Sequence, residues 1–304
     1  MLLVATLAAC SQSQPMSSTS AGPGGVSCRL PISIAEAAGN QQGAFVTFPG
    51  GKVTIDSAGV GGVYYDAGHS RWLSVPAYGV AADGSRYAYT ERKVPGTLGE
   101  QQLHVVEVAT GKDRVYALSS ATDNSSYVVI EVATDAIWLT YSGYESPRGG
   151  LFRLDLNTGV LQDAGGGRQM FDAVAGGPGL FWFTDPGPHP QRSAGMGGIL
   201  PARVNRLQVS DGNTEAWFTK DGSYLTVLGV DVGGHPILTD GSQVWLASSP
   251  SDSKVIGVPE AYYQVVADRH GVWLGGSTGI YLYTSAGEVQ KVTDQAAGVA
   301  GSCD

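Results

Sequence analysis

A unit of about 44 residues recurs along this chain, and that period restricts the fold more than any other feature. The clearest copy runs from Tyr78 to Leu118, YGVAADGSRYAYTERKVPGTLGEQQLHVVEVATGKDRVYAL. It divides into a short apolar strand, an Asp83-Gly84 turn, an alternating strand through Tyr87 and Tyr89, a long polar loop, a second alternating strand, a Thr110-Gly111 turn and a last strand. Asp-Gly between alternating apolar runs is a strong hairpin signal. The same order begins again at Tyr127, Phe171 and Tyr262, and in weaker form at Gly43 and Tyr224. Taking the first turns at Gly51, Gly84, Asp135, Gly179, Gly234 and Gly271, five steps average 44 residues, the length of a four-stranded propeller blade. The expected fold is therefore all-β, a six-bladed β-propeller of four-stranded antiparallel blades, with seven blades as the alternative. Residues 28–43 and 294–304 are left over, too few for a seventh full blade but enough for a closing half-blade sewn from both ends.

Composition agrees. Glycine supplies 44 of 304 residues and only 15% are charged, which disfavours long helices held by Glu/Lys pairs. A hydrophobic share of 42% excludes general disorder. The formal charge of −9 gives no counterion-release drive toward nucleic acid or anionic lipid, so nucleic-acid binding is set aside. Trp138, Trp182 and Trp273 fall just after the first turn of their units, and Tyr87 holds that place in the clearest copy. These aromatics are expected to pack between blades rather than to stack a ligand.

At AADGSRYAY and LHVVEVATGK the chain resembles the TolB-type, or WD40-like, propeller repeats, with Ala81-Ala82 in place of their Ser-Pro. The resemblance is close in one unit and loose in the rest. It implies a propeller in an extracytoplasmic setting and carries no catalytic residue across, because that repeat is scaffold.

The amino terminus points to the same address. Residues 1–10 form a short apolar segment ending in Leu7-Ala8-Ala9-Cys10, which resembles the bacterial lipobox, although no Lys or Arg precedes it. Cys10 is the expected lipidation site. Residues 11–27 have tether composition, Ser11 to Gly25 being uncharged Ser, Gln, Pro, Gly, Thr, Ala and one Met. The propeller is then expected over 28–304, with Cys28 and Cys303 bridged in an oxidising compartment.

Loops between second and third strands gather at one end of a propeller. Here Glu91–Gln102, Gly143–Gly150 and Thr184–Ala202 are long and belong to consecutive blades. They carry Arg92, Lys93, Tyr144, Arg148, His189 and Arg192, the candidate partner-binding residues, with Glu145 and Met196 beside them. No catalytic residue, metal site or cofactor is assigned: the five histidines are never closer than 35 positions apart. His235 and His270 lie beside the first turns of consecutive blades and are the pair that folding could bring together. Gly275-Gly276-Ser277-Thr278-Gly279 fits the G-x-S-x-G pattern, but an alternating strand follows where a hydrolase needs a helix, so it reads as a hairpin loop. The expected protein is a monomeric envelope lipoprotein, lipid-anchored, that binds a protein, peptide or glycan. The alternative is a propeller enzyme of lyase, lactonase or cyclase type with its site at the channel mouth.

Overall fold

The computed structural model describes residues 26–36, 39–92, 100–118, 126–142, 150–168, 170–186 and 202–303. Blade 1 contains β1 (Arg29–Ala35), β2 (Gln41–Thr47) and β3 (Lys52–Val60). A small hairpin follows, β4 (Tyr64–Asp66) and β5 (Arg71–Leu73). Blade 2 has β6 (Arg86–Arg92), β7 (Gln101–Glu107) and β8 (Asp113–Leu118); its innermost position is a 3₁₀ turn, Ala77–Gly79, and a single bridge from Val80 to Tyr87. Blade 3 is β9 (Ser126–Val132), β10 (Ala136–Ser142), β11 (Gly150–Asp155) and β12 (Leu161–Asp163). Blade 4 is β13 (Phe171–Gly177), β14 (Leu180–Asp185), β15 (Arg203–Gln208) and β16 (Asn213–Thr219). Blade 5 is β17 (Thr226–Val230), β18 (Pro236–Thr239), β19 (Val244–Ser249) and β20 (Asp252–Ile256). Blade 6 is β21 (Gln264–Asp268), β22 (Gly271–Gly276), β23 (Gly279–Thr284) and β24 (Val289–Thr293), and β25 (Gly298–Val299) follows.

The last strand closes the ring. β25 pairs antiparallel with β1, Ile32 opposite Val299, so blade 1 reads β25-β1-β2-β3 from the axis outward. The result is a six-bladed β-propeller closed by one carboxy-terminal strand and three amino-terminal ones. The residues left over by the repeat thus supply the inner half of blade 1 rather than a seventh blade. This corrects the phase of the copy that begins at Gly43. Gly51 lies between β2 and β3, the third-to-fourth turn, and its positive φ of 64° is matched by 68°, 72° and 68° at Gly111, Gly159 and Gly212, which hold that turn in blades 2 to 4. Only a residue without a Cβ adopts that conformation at little cost.

Apolar clusters seal five of the junctions. Trp138 meets Phe181 between blades 3 and 4 with ring centroids 4.8 Å apart. Trp182 packs with Leu225, Leu238 and Trp245 between blades 4 and 5, and its indole N–H donates to the Gly234 carbonyl at 2.8 Å. Trp273 joins Leu30, Val46 and Phe48 between blades 6 and 1. Leu103, Leu118, Ile137 and Leu139 fill the junction of blades 2 and 3, and Ile237, Leu274 and Tyr281 that of blades 5 and 6. The three tryptophans therefore pack between blades as their positions suggest; Tyr87 is half-buried, on the side of blade 2 turned away from blade 3.

The junction of blades 1 and 2 is built differently. The β4–β5 hairpin lies along blade 1, with Tyr65 and Trp72 against Phe45 at centroid distances of 4.9 and 5.6 Å. Trp72 covers Gly43 so closely that a Cβ there would lie 2.5 Å from the ring. At the carboxy terminus Cys28 and Cys303 form a disulfide, Cα atoms 5.5 Å apart, and both are buried. Asp268 fixes the same corner: its Oδ2 accepts from the Trp273 indole at 2.7 Å and from the Cys303 amide at 2.8 Å.

Candidate binding rim

Because the innermost strand of each blade pairs antiparallel with the second, its start lies at the end where the second-to-third-strand loops emerge. In blade 3, Ser126 at the start of β9 faces Ser142 at the end of β10. That end is the loop end; the first-to-second-strand turns lie at the opposite, turn end. Tyr78, Tyr224 and Tyr262 each stand two residues before the innermost strand or bridge of their blade, so all three occupy the inner rim of the loop end. They are 52%, 41% and 57% exposed. Burial by neighbouring elements nevertheless pushes the Tyr78 phenol above its ordinary value. A Cβ on Gly241, in the second-to-third loop of blade 5, would lie 3.3 Å from the Tyr262 hydroxyl, so Tyr262 leans over that neighbouring blade.

Polar clasps hold the rim between blades. Arg92 donates to Ser126 Oγ at 3.2 Å, Thr90 to the Tyr127 carbonyl at 2.8 Å, and the Tyr127 amide to Gln101 Oε1 at 2.7 Å. Lys220 of blade 4 pairs with Asp240 of blade 5. Burial opposes ionisation of Asp240, but donors from Lys220, Ser242 and Gln243 hold its carboxyl well below the usual range. Between blades 5 and 6, Glu260 accepts from Ser277 Oγ at 2.5 Å and from the Thr278 amide and hydroxyl at 2.8 Å. Those bonds outweigh its burial and lower its pKa. Tyr263 beside it is pushed up to about 12, chiefly by burial.

Asp172 is the unusual residue of the rim. It sits near the start of β13 at a bulge, with φ of 46°, a left-handed conformation that costs a non-glycine residue energy. Burial raises its carboxyl pKa, partly offset by a hydrogen bond from Thr226 of blade 5. Its Oδ2 has no hydrogen-bond partner among the described residues.

Of the sequence candidates, Arg92 is a clasp residue at this end; Lys93, Tyr144, Arg148, His189 and Arg192 lie outside the described residues, as does Cys10. Ser277 occupies the two-residue turn between β22 and β23, the hairpin expected of the G-x-S-x-G stretch. His235 and His270 do not pair: His235 meets Asp231 at 3.0 Å and the Trp217 ring, and His270 lies against Trp273. Both occupy turn-end turns. No group of three or more metal-ligating side chains is gathered among the described residues, and no described helix is long and apolar enough to cross a membrane. The rim tyrosines and Asp172 were not singled out from sequence. The tyrosines head their repeat copies, and that recurrence was a usable signal.

Solved structures share this architecture. TolB from Acinetobacter baumannii aligns over 92% of this chain and 68% of its own at 11% identity, with a TM-score of 0.48. A prolyl endopeptidase aligns over 83% of this chain and 38% of its own at 12% identity and a TM-score of 0.50. An oligogalacturonate lyase in complex with manganese aligns over 88% of this chain and 74% of its own at 13% identity and 0.49. At these identities the likeness is one of fold. No protein-family model and no curated protein sequence matches the chain.

Proposed function

We propose that this protein is an envelope lipoprotein, anchored through Cys10, whose loop-end rim binds a protein, peptide or glycan. The observation that carries this reading is the recurrence of an exposed tyrosine at one position of three blades, Tyr78, Tyr224 and Tyr262. Tyrosine gives large contact area with a polar tip at low entropic cost, which is why it is enriched where proteins bind partners. The strand ends that flank residues 93–99, 143–149 and 187–201, the segments carrying Lys93, Tyr144, Arg148, His189 and Arg192 in sequence, lie at the same end. The Cys28–Cys303 disulfide fits an exported chain.

A photo-crosslinking residue placed in cells at Tyr224 or Tyr262, and at exposed Val232 on the turn end, tests the rim. Adducts from the two rim sites and not from Val232 support it; equal yields, or none, overturn it. Intact mass tests the address: an acyl increment at Cys10 supports it, and an unprocessed, unacylated chain overturns it. The second reading, an enzyme of lyase, lactonase or cyclase type, draws on Asp172, whose strained backbone and desolvated carboxyl are features that active sites collect. A loss of turnover on Asp172→Asn, with rim crosslinking unchanged, would favour it.

A further inference from the structure

Blade 2 is polarised across its thickness. Side chains alternate along each strand, so one set faces blade 3 and the other faces the gap toward the hairpin. Arg86, Arg92 and Arg114 all fall in the first set and are spent on blade 3, donating to the Thr134 carbonyl, Ser126 Oγ and the Leu156 carbonyl at 3.2, 3.2 and 3.1 Å. The other set holds Tyr87, Tyr89 and Glu91 on β6, Gln102, His104 and the buried Val106 on β7, and Asp113, Val115 and Ala117 on β8. Its charged side chains are both acidic. At the other junctions the inner strands of the corresponding faces are covered by apolar clusters, while outer-strand residues such as Val255 of blade 5 stay 54% exposed; on blade 2 Val115 is 49% exposed, and the side chains of Glu91 and Asp113 are 52% and 37% exposed. The hairpin is tied to blade 2 at the turn end instead, where Arg71 donates to the Gly84 carbonyl at 3.2 Å.

The surface is ordered. His104 stacks on Tyr89 with centroids 4.9 Å apart and planes 8° from parallel, and Tyr87 stacks on Tyr89 in turn. The imidazole separates the two carboxylates: Asp113 Oδ2 is hydrogen-bonded to Nδ1 at 2.7 Å, while Glu91 Oε1 lies 3.1 Å from Nε2 without hydrogen-bond geometry, leaving that buried nitrogen without a hydrogen-bond partner among the described residues. Two carboxylates on opposite sides of one ring are spaced on the scale of the roughly 7 Å between alternate side chains of an extended chain. Arginine suits both halves of this surface, because its fork binds carboxylate and its plane lies on tyrosine. We infer that this face of blade 2 docks an extended segment of a protein partner bearing arginine at alternate positions, one guanidinium on Glu91 and the next on Asp113.

The site is distinct from the loop-end rim, so the two stand or fall separately. The test uses a fluorescein-labelled peptide of alternating arginine and threonine, titrated by anisotropy against the full chain. Glu91→Gln/Asp113→Asn should weaken binding about tenfold. Asp221→Asn/Glu288→Gln, which removes the same charge from exposed positions elsewhere, should change it less than about twofold. Val115→Lys keeps the His104 pairs, adds a cation to the face and should abolish binding; hydrogen exchange should show β8 protected by the peptide in the wild type. No binding by the wild type, equal weakening by the two double variants, or full binding by Val115→Lys overturns the inference.

Discussion

Trp182 and Trp72 do the same kind of work in two junctions that are built differently. Between blades 4 and 5, Trp182 is 1% exposed, surrounded by side chains of both blades and anchored through its indole N–H to Gly234. Between blades 1 and 2, Trp72 is half-buried, donates to Asp56 at 3.0 Å and lies on the bare backbone of Gly43 in blade 1 and of Gly62 just beyond it. The first ring welds two blades; the second fastens a hairpin to one. Carboxylates differ in the same sense. At the open junction Asp56 bonds Trp72, and Asp66 bonds Arg71 and His69 at 2.8 and 2.9 Å. Along the sealed inner strands, Glu131 and Asp172 each keep an oxygen without a hydrogen-bond partner among the described residues. A closed ring therefore tolerates one solvated junction, whose carboxylates Asp56 and Asp66 are paired locally, and that junction leaves one face of blade 2 without a facing blade.

The largest expected effect separates the two tryptophans. Trp182→Ala should cost about 3–5 kcal/mol, since it empties a site lined by two blades, and should shift the urea midpoint of the whole domain. Trp72→Ala should cost about 1–2 kcal/mol and should speed amide exchange in β4 and β5 while leaving β17 and β18 unchanged. Equal losses of global stability from both variants would break the comparison. Next in size is the closure. Cys303→Ser removes a bridge between residues 275 apart in sequence and should cost about 3 kcal/mol, within the range for native disulfides. Adding reductant to the wild type should reproduce the shift, and an unchanged midpoint would show that β25 holds the ring without it. Gly43→Ala is smaller still. The new methyl must displace the Trp72 ring, at about 1–3 kcal/mol for overpacking, and the red shift of Trp72 fluorescence should appear without loss of the sealed junctions.

How much of this was legible in sequence follows from how each feature is encoded. Alternating strands and glycine turns are local, so five blades and the role of Trp138, Trp182 and Trp273 could be read directly. The phase of blade 1 could not, because its innermost strand comes from Gly298 and Val299, more than 260 residues from its partner β1. The signal that would have corrected it is the likeness of the Gly51 turn to those at Gly111 and Gly159 rather than to Gly84. The stretch from Tyr64 to Leu73 alternates like a blade strand; its folding into a separate β4–β5 hairpin is a tertiary outcome. At the rim, Arg92 was legible as a loop-end residue but its bond to Ser126 was not, since that depends on how neighbouring blades meet. Asp172 gave no sequence signal, for an aspartate in an apolar strand looks like an ordinary solvated position until its backbone turns left-handed.

The smallest effect is also the one most specific to the unpaired carboxylates. Burial raises the pKa of both Glu131 and Asp172, so the folded state holds these protons more tightly than the unfolded chain. Stability contributed by the protonated groups is therefore present at acid pH, declines as pH rises from the ordinary carboxylate range through the raised folded values, and is level above them. Asp172→Asn and Glu131→Gln remove the charged form, and each should stabilise the domain by about 1 kcal/mol at pH 8, where the carboxylate would otherwise be desolvated, with the gain vanishing at pH 4. Asp66→Asn should do the opposite at pH 8, losing about 1–2 kcal/mol because it leaves Arg71 without its charged partner. Urea unfolding at the two pH values decides the matter. If Asp172→Asn destabilises the protein at pH 8, its carboxylate is paired in the folded state, and the distinction between orphan carboxylates at sealed junctions and bonded ones at the open junction fails there.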